Sequence, residues 1–343
     1  MSTKTPAIDI EASVDDDQFI FGNSLSISFQ KTLRIPDDGR VYPLPPSLGN
    51  FPISKVEDYA SKVPKKWVDR GGFFIPMYQR EALWLSFGAQ PDLPLAVKIG
   101  AGKINTISGQ SWKTTLASEQ LIPTEKSEAD DMNDEDDYYE EDYECDYLVV
   151  PQQPWLDGFN IGSGVIRQFV AMPLGMGYTV EGQLTGEEHF GGMQIVVYPP
   201  KSLEQIVTFH EKYGPPGLVL SSPEMGLAAG GKMEQKIYPD PYGLDCWDQD
   251  TKVSTWVHIV DSMSYKEITG NDPPLSPISA QTYTEYGLPW FELYDEDKQT
   301  LKATEKLKRI KSVKEKDQEE FGQTLQDDST IEVKSKVVVG KVE

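Results

Sequence analysis

Basic residues are scarce in this 343-residue chain: 32 Lys and Arg stand against 55 Asp and Glu, giving a formal charge of −23. That balance excludes a nucleic-acid binder, because phosphate contacts need a basic face. It also argues against docking on anionic lipid. Apolar runs are short as well. The best candidate for a membrane span, Gln168 to Val180, has 13 residues between Arg167 and Glu181 and contains Pro173, where a spanning helix needs about 20 apolar residues. The two cysteines, Cys145 and Cys246, are too few for a disulfide framework or a cysteine-based zinc site. There is no Asn-x-Ser/Thr sequon. Residues 1–17 are acidic and rich in Ser and Thr, with neither a basic stretch nor an apolar core, so they read as a disordered N-terminus rather than a signal peptide. Together these absences describe a soluble, cytoplasmic protein with no membrane span.

Histidine is rare too. His189, His210 and His258 lie far apart, and no Gly-x-Ser-x-Gly elbow, His-x-x-x-His pair or catalytic cysteine signature accompanies them. His258, in Trp256-Val-His-Ile, is expected on a strand face with Trp256 and Val260. All three are expected to be structural or surface residues.

What the chain does contain is strand pattern. Leu25, Ile27, Phe29, Leu33 and Ile35 alternate with polar residues from Ser26 to Arg34, the period-two signature of a half-buried antiparallel strand. Pro36-Asp-Asp-Gly39 closes it with a turn. Leu95–Ile99 and Ile104–Ile107 flank Gly100-Ala-Gly-Lys103 as a hairpin. Tyr147–Val150, Val165–Ala171, Met193–Tyr198 and Val253–Val260 are further β-branched runs of strand length. Ser202 and Gln205 open a helix that Gly214 stops, and Met77–Phe87 is expected to be a second helix. The fold class is therefore mainly β, α+β: one large antiparallel β-sandwich-like domain over residues 18–297 with a few helices.

Two charge blocks interrupt it. From Glu125 to Asp146 there are 13 acidic residues and one lysine, which predicts a solvated, disordered insert over 123–146. From Lys302 to Lys316 the net charge is +5. Leu307, Ile310 and Val313 give that segment an apolar stripe, predicting a basic amphipathic helix over 298–320. A mobile tail, 321–343, follows, with a strand-like piece from Ile331 to Val339. Either charge block offers a surface for a protein partner, and the acidic block also offers weak calcium binding.

The densest site-like patch is Asp240, Asp245, Trp247, Asp248 and Asp250. Carboxylates at this density suit a hard cation, and Trp beside Asp suits a sugar. The competing reading is that these aspartates cap turns through their own backbone. Gly226-Leu-Ala-Ala-Gly-Gly-Lys232 matches seven positions of a phosphate-binding loop, but Met233 stands where a hydroxyl is needed and no helix is expected after it.

Five segments taken together, Thr32–Pro46, Gln153–Phe159, Arg167–Tyr178, Gly226–Asp248 and Gly287–Glu296, resemble a family of uncharacterised proteins, some of which carry the label "integral membrane protein". The resemblance spans about residues 20–315 and implies one continuous unit. It carries no activity, cofactor or catalytic residue. The functional expectation is a non-enzymatic binding or assembly module on a β-rich scaffold. The alternative is a carbohydrate- or cation-binding protein, or a hydrolase, using the patch at 240–250.

Overall fold

Ser–apolar alternation makes Leu25–Thr32 a strand, and its partners set the first sheet. In the computed structural model, which describes residues 12–15, 17–22, 24–121, 142–213, 229–294, 300–302, 304–323, 325, 330–333 and 337–341, five strands are ordered Ala12–Asp15, Gln18–Phe21, Leu25–Thr32, Ala82–Ala89 and Trp155–Leu156. A second sheet is ordered Leu148–Val150, Leu95–Ala101, Met193–Tyr198, Val253–Asp261, Phe73–Met77 and Ser54–Lys55, with Ile104–Asn105 turning back on Leu95–Ala101. Pairing is antiparallel throughout both, except that Val253–Asp261 and Phe73–Met77 run parallel. The two sheets share one core. Phe19, Phe29 and Leu85 of the first and Val97, Ile99, Ile195 and Val197 of the second are all buried in it. Phe19 also meets Phe73 across the sheets, ring centroids 4.6 Å apart. A smaller sheet (Gly158–Gly162, Val165–Gln168, Lys232–Glu234, Val41–Tyr42) closes one side. The protein is thus a mainly β, α+β domain.

The outer face of the second sheet carries its own small core. Trp67, Phe74, Val260, Tyr265 and Ile268 pack there with Val56 and Val63, so the helices Lys65–Arg70 and Ser262–Thr269 lie against the ends of Phe73–Met77 and Val253–Asp261.

Five expectations change. The helix over Met77–Phe87 is instead the strand Ala82–Ala89, whose eight residues pair in register with Leu25–Thr32. Leu, Ala and Trp tolerate either conformation, and a complete ladder beside a buried neighbour decides. Ala12–Asp15 pairs with Gln18–Phe21, so order begins inside the segment read as disordered. Of the acidic insert, Asp142–Cys145 pairs with Ser118–Leu121, and Asp146 lies 2.5 Å from the buried Lys98 ammonium. A lysine 1 % exposed needs a counter-ion, which draws this end of the acidic run into the body. Residues 122–141 lie outside the described ones.

The basic segment is two short helices, Glu305–Lys308 and Val313–Phe321, not one. Between them the body holds the backbone: Lys311 N–H donates to Gln183 Oε1 (2.7 Å), Lys311 C=O accepts from Gln183 Nε2 (2.9 Å), and Val313 N–H donates to Ala229 C=O (3.0 Å). Ser312 then restarts the helix through a capping box with Glu315. Leu307, Ile310 and Val313 are buried in the body, so the apolar stripe is not free for a partner. In the tail, Val337–Lys341 pairs parallel with Trp290–Tyr294 and Ile331 is buried.

Candidate functional site

In the patch around Trp247, Asp240 and Asp248 cap turns through their side chains. Trp247 is 0 % exposed, which removes it as a stacking platform. Asp240 Oδ2 accepts from Trp247 Nε1 at 2.8 Å and from the Tyr147 hydroxyl at 2.6 Å, and Asp240 Oδ1 accepts the Tyr242 N–H at 2.8 Å. Asp248 Oδ1 accepts the N–H groups of Asp250 and Thr251. Asp245 and Asp250 are exposed. No group of three or more His, Cys, Asp or Glu among the described residues is placed to hold a metal ion. Lys232, the end of the phosphate-loop match, starts a strand, so no helix follows it; Gly226 to Ala228 lie outside the described residues.

The structure brings a different set together. Phe73–Met77, Leu95–Ala101 and Val253–Asp261 all end at one edge of the second sheet, where Met193–Tyr198 begins. There a cleft of about 350 Å³ opens. Its walls are largely apolar: Met77, Val170, Met172, Leu174, Val180, Phe190 and Ile259, with Trp67 from the helix Lys65–Arg70. Its polar residues are Tyr78, Gln79, Thr179, Glu181, His258 and Asp261.

Two carboxylates tie the rim. Glu181, 3 % exposed, accepts the N–H groups of His189 and Phe190 on Oε1 and of Gly191 on Oε2, each at 2.8 Å. Glu188 does the reverse from the neighbouring loop, accepting from Gly175, Gly177 (3.1 Å) and Thr179 (3.0 Å) N–H and from the Thr179 hydroxyl (2.5 Å). Partial burial opposes the Glu188 charge, but those donors outweigh it and hold its carboxyl below the usual range. Thr179 also caps the helix Val180–Thr185 through the Gly182 N–H. Glycine is required where the two loops close in. At Gly192 (φ +56) a Cβ would lie 2.4 Å from the Val257 carbonyl, and at Gly102 (φ +56) it would lie 2.6 Å from Glu181.

His258 forms the floor. Its ring stacks on Trp67 (centroids 4.6 Å, planes 12° apart) and lies parallel to Trp256 at 5.9 Å. Nε2 is 3.0 Å from the Gly71 carbonyl. A carbonyl only accepts, so Nε2 carries the proton and Nδ1 is the lone-pair nitrogen. Burial pushes this imidazole down to about 4; the Gly71 bond pulls the other way, and the charges of Arg70 and Lys66 add to the depression. It is neutral at physiological pH. His189 instead pairs with Glu187 at the surface, 2.7 Å apart, and His210 meets the Tyr242 hydroxyl at 2.9 Å.

The cleft can therefore hold a small, mainly apolar molecule against a neutral imidazole, with two carboxylates engaged by backbone amides. Its sequence signal was the uncharged, glycine-containing run Gln168–Val180, followed seven residues apart by Glu181 and Glu188. Taken alone, that run reads as the end of a strand at Ala171 and as a stretch too short for a membrane span. No helix among the described residues is long and apolar enough to cross a membrane. No family model, curated protein or solved structure matches the chain.

Proposed function

We propose that the protein is a non-enzymatic binding module that takes a small, mainly apolar ligand in the cleft between Trp67, Met77, Leu174, Phe190 and His258. One observation carries the reading: the cleft of about 350 Å³ is preformed, with each rim loop fixed by a buried or half-buried glutamate on its backbone amides. Small-molecule sites are of this size, mostly apolar and shaped before the ligand arrives, and a rim held by hydrogen bonds avoids much of the ordering cost of binding. The carboxylates engaged by backbone and the neutral, stacked His258 favour binding over turnover. Thermal melting of the full chain against a panel of small apolar and amphipathic compounds tests it. A compound that raises the melting temperature of the wild type, and has no effect on Leu174→Trp, is the expected result. Leu174 is 40 % exposed on the rim, so the variant retains its fold while filling the cleft. A flat panel, or shifts unchanged by Leu174→Trp, would overturn the reading.

The same proposal places the protein in a soluble, reducing cytoplasmic setting, a reading supported by two free, buried thiols. Burial pushes the Cys246 thiol up to about 11 and the Cys145 thiol higher still, which makes both poor nucleophiles. A second reading, assembly with a protein partner, is favoured by exposed apolar side chains between 263 and 288: Met263, Leu275, Ile278, Tyr286 and Leu288. Concentration-dependent sedimentation of the full chain, alone and after pull-down, tests that reading.

A further inference from the structure

Charge of the sign this protein is short of gathers on an aromatic ring that lines the cleft. Phe190 lines the cleft and packs against Trp256, ring centroids 6.3 Å apart. Two cations flank this ring pair. The Arg70 guanidinium lies 5.0 Å from the Phe190 centroid and 4.9 Å from that of Trp256, and the Lys103 ammonium lies 5.0 Å and 5.4 Å from the same two rings. Arg70 also donates to the Phe190 carbonyl at 3.3 Å. Neither cation forms an ion pair with a carboxylate among the described residues. In a chain of 55 acidic and 32 basic residues, two like charges gathered on one aromatic pair without a counter-ion stand out. Both cations adjoin the cleft in sequence: Arg70 ends the helix that presents Trp67, and Lys103 follows Gly102, and Trp67 and Gly102 line the cleft. The two carboxylates of the cleft are engaged by backbone amides and not in an ion pair with either cation. Glu181 is saturated by three amides, and Asp261 caps the helix Ser262–Thr269 through the Met263 and Ser264 N–H groups.

We propose that the ligand of this cleft is an amphipathic organic anion, its carboxylate, sulfonate or phosphate head held between Arg70 and Lys103 and its apolar body lying past Phe190 against Met77, Leu174 and Ile259. This rests on the cleft being a ligand site, the reading given above. An anionic head supplies the charge that Arg70 and Lys103 lack. A guanidinium beside an ammonium gives both a fork and a point charge for its oxygens. Contact with the aromatic pair restrains both cations before any ligand arrives, so little side-chain freedom is lost on binding.

Two dyes of nearly the same shape separate the body from the head: 8-anilinonaphthalene-1-sulfonate and the uncharged N-phenyl-1-naphthylamine. Each is titrated by fluorescence into the wild-type full chain, the double variant Arg70→Gln/Lys103→Gln and Leu174→Trp. Both cations are at the surface edge, and the variants' folded state is checked by circular dichroism. The expected result is that Leu174→Trp weakens both dyes, while the double variant weakens only the sulfonate, by about tenfold or more. If the double variant changes both dyes equally or neither, the anionic head is overturned and the apolar cleft stands. If Leu174→Trp leaves both affinities unchanged, or neither dye binds, the cleft reading itself falls and the anion with it.

Discussion

His258 lies flat on Trp67, centroids 4.6 Å apart, an arrangement that would favour a charged imidazolium through the indole face. Burial and the nearby charges of Arg70 and Lys66 win instead, and the ring titrates near 4. An unfolded histidine takes its proton near 6.5, so between about 6.5 and 4 the unfolded chain binds a proton that the folded chain refuses. The stabilisation is complete above about 6.5 and is lost as pH falls toward 4, by up to about 3 kcal/mol. Urea unfolding of wild type and His258→Gln at about pH 7.5, 6 and 5 checks this. The wild type should lose stability faster than the variant, whose amide can still donate to Gly71. Parallel pH profiles would refute the assignment.

Besides its backbone bonds, the helix Val313–Phe321 is tied to the cleft's own neighbourhood by the carboxylate of Asp317. Asp317 receives both Arg80 nitrogens, at 3.2 and 2.7 Å, and the Tyr178 hydroxyl at 2.8 Å. Burial works against the charge of Asp317, but Arg80 and Tyr178 hold its carboxyl below the usual range. Removing one partner of a buried pair strands the other charge. Asp317→Asn should therefore cost about 2–4 kcal/mol, and Tyr178→Phe about 1 kcal/mol. Urea midpoints give both numbers, and trypsin should cut the lysine-rich segment from Lys306 to Lys316 sooner in Asp317→Asn. Equal midpoints for Asp317→Asn and wild type would show that the contact adds nothing.

Glu188 makes a separate prediction about the rim. Glu188→Gln keeps the shape but loses the charge behind its hydrogen bonds to Gly175, Gly177 and Thr179, at a cost of about 1–2 kcal/mol near neutral pH. The folded carboxyl titrates below its ordinary 4.5, so its contribution is present above about 4.5 and fades as pH falls through the acid range. Wild type and variant should converge there. Denaturation curves at about pH 7 and pH 3 measure it; a gap that persists in acid would point to packing rather than charge.

The frame was legible wherever one residue's periodicity sufficed. Leu25 to Phe29 read as a strand because alternate side chains enter the core, and the Gly100–Lys103 hairpin because its glycines mark the turn. Ala82–Ala89 was not legible, since its conformation is decided by eight ladder partners, the nearest of which, Thr32 opposite Ala82, is 50 residues away in sequence. The cleft was illegible for the same reason. Its residues come from seven separate segments, and Glu181 looks like any surface glutamate until its amide partners at 189–191 are in place. Aspartate density at 240–250 was plain in the sequence, but density reports side chains near in sequence, not where they point.

That patch yields the sharpest stability test. Asp240 Oδ2 alone receives both the Trp247 indole N–H and the Tyr147 hydroxyl, and burial followed by the Asp240 charge pushes the Tyr147 phenol far above its usual range. Asp240→Ala leaves two donors unpaired beside a fully buried indole, a loss of about 2–4 kcal/mol. Asp240→Asn should cost nearly as much when its amide nitrogen faces those donors. Asp250→Ala, at an exposed position, should stay within about 0.5 kcal/mol of wild type. Thermal melts of the three variants, each with and without added calcium, decide between a structural cluster and a cation site. A structural cluster gives the graded losses above and no calcium shift in any variant. Equal, small effects of Asp240→Ala and Asp250→Ala, together with a calcium-induced rise in wild type that both abolish, would restore the patch as a binding site.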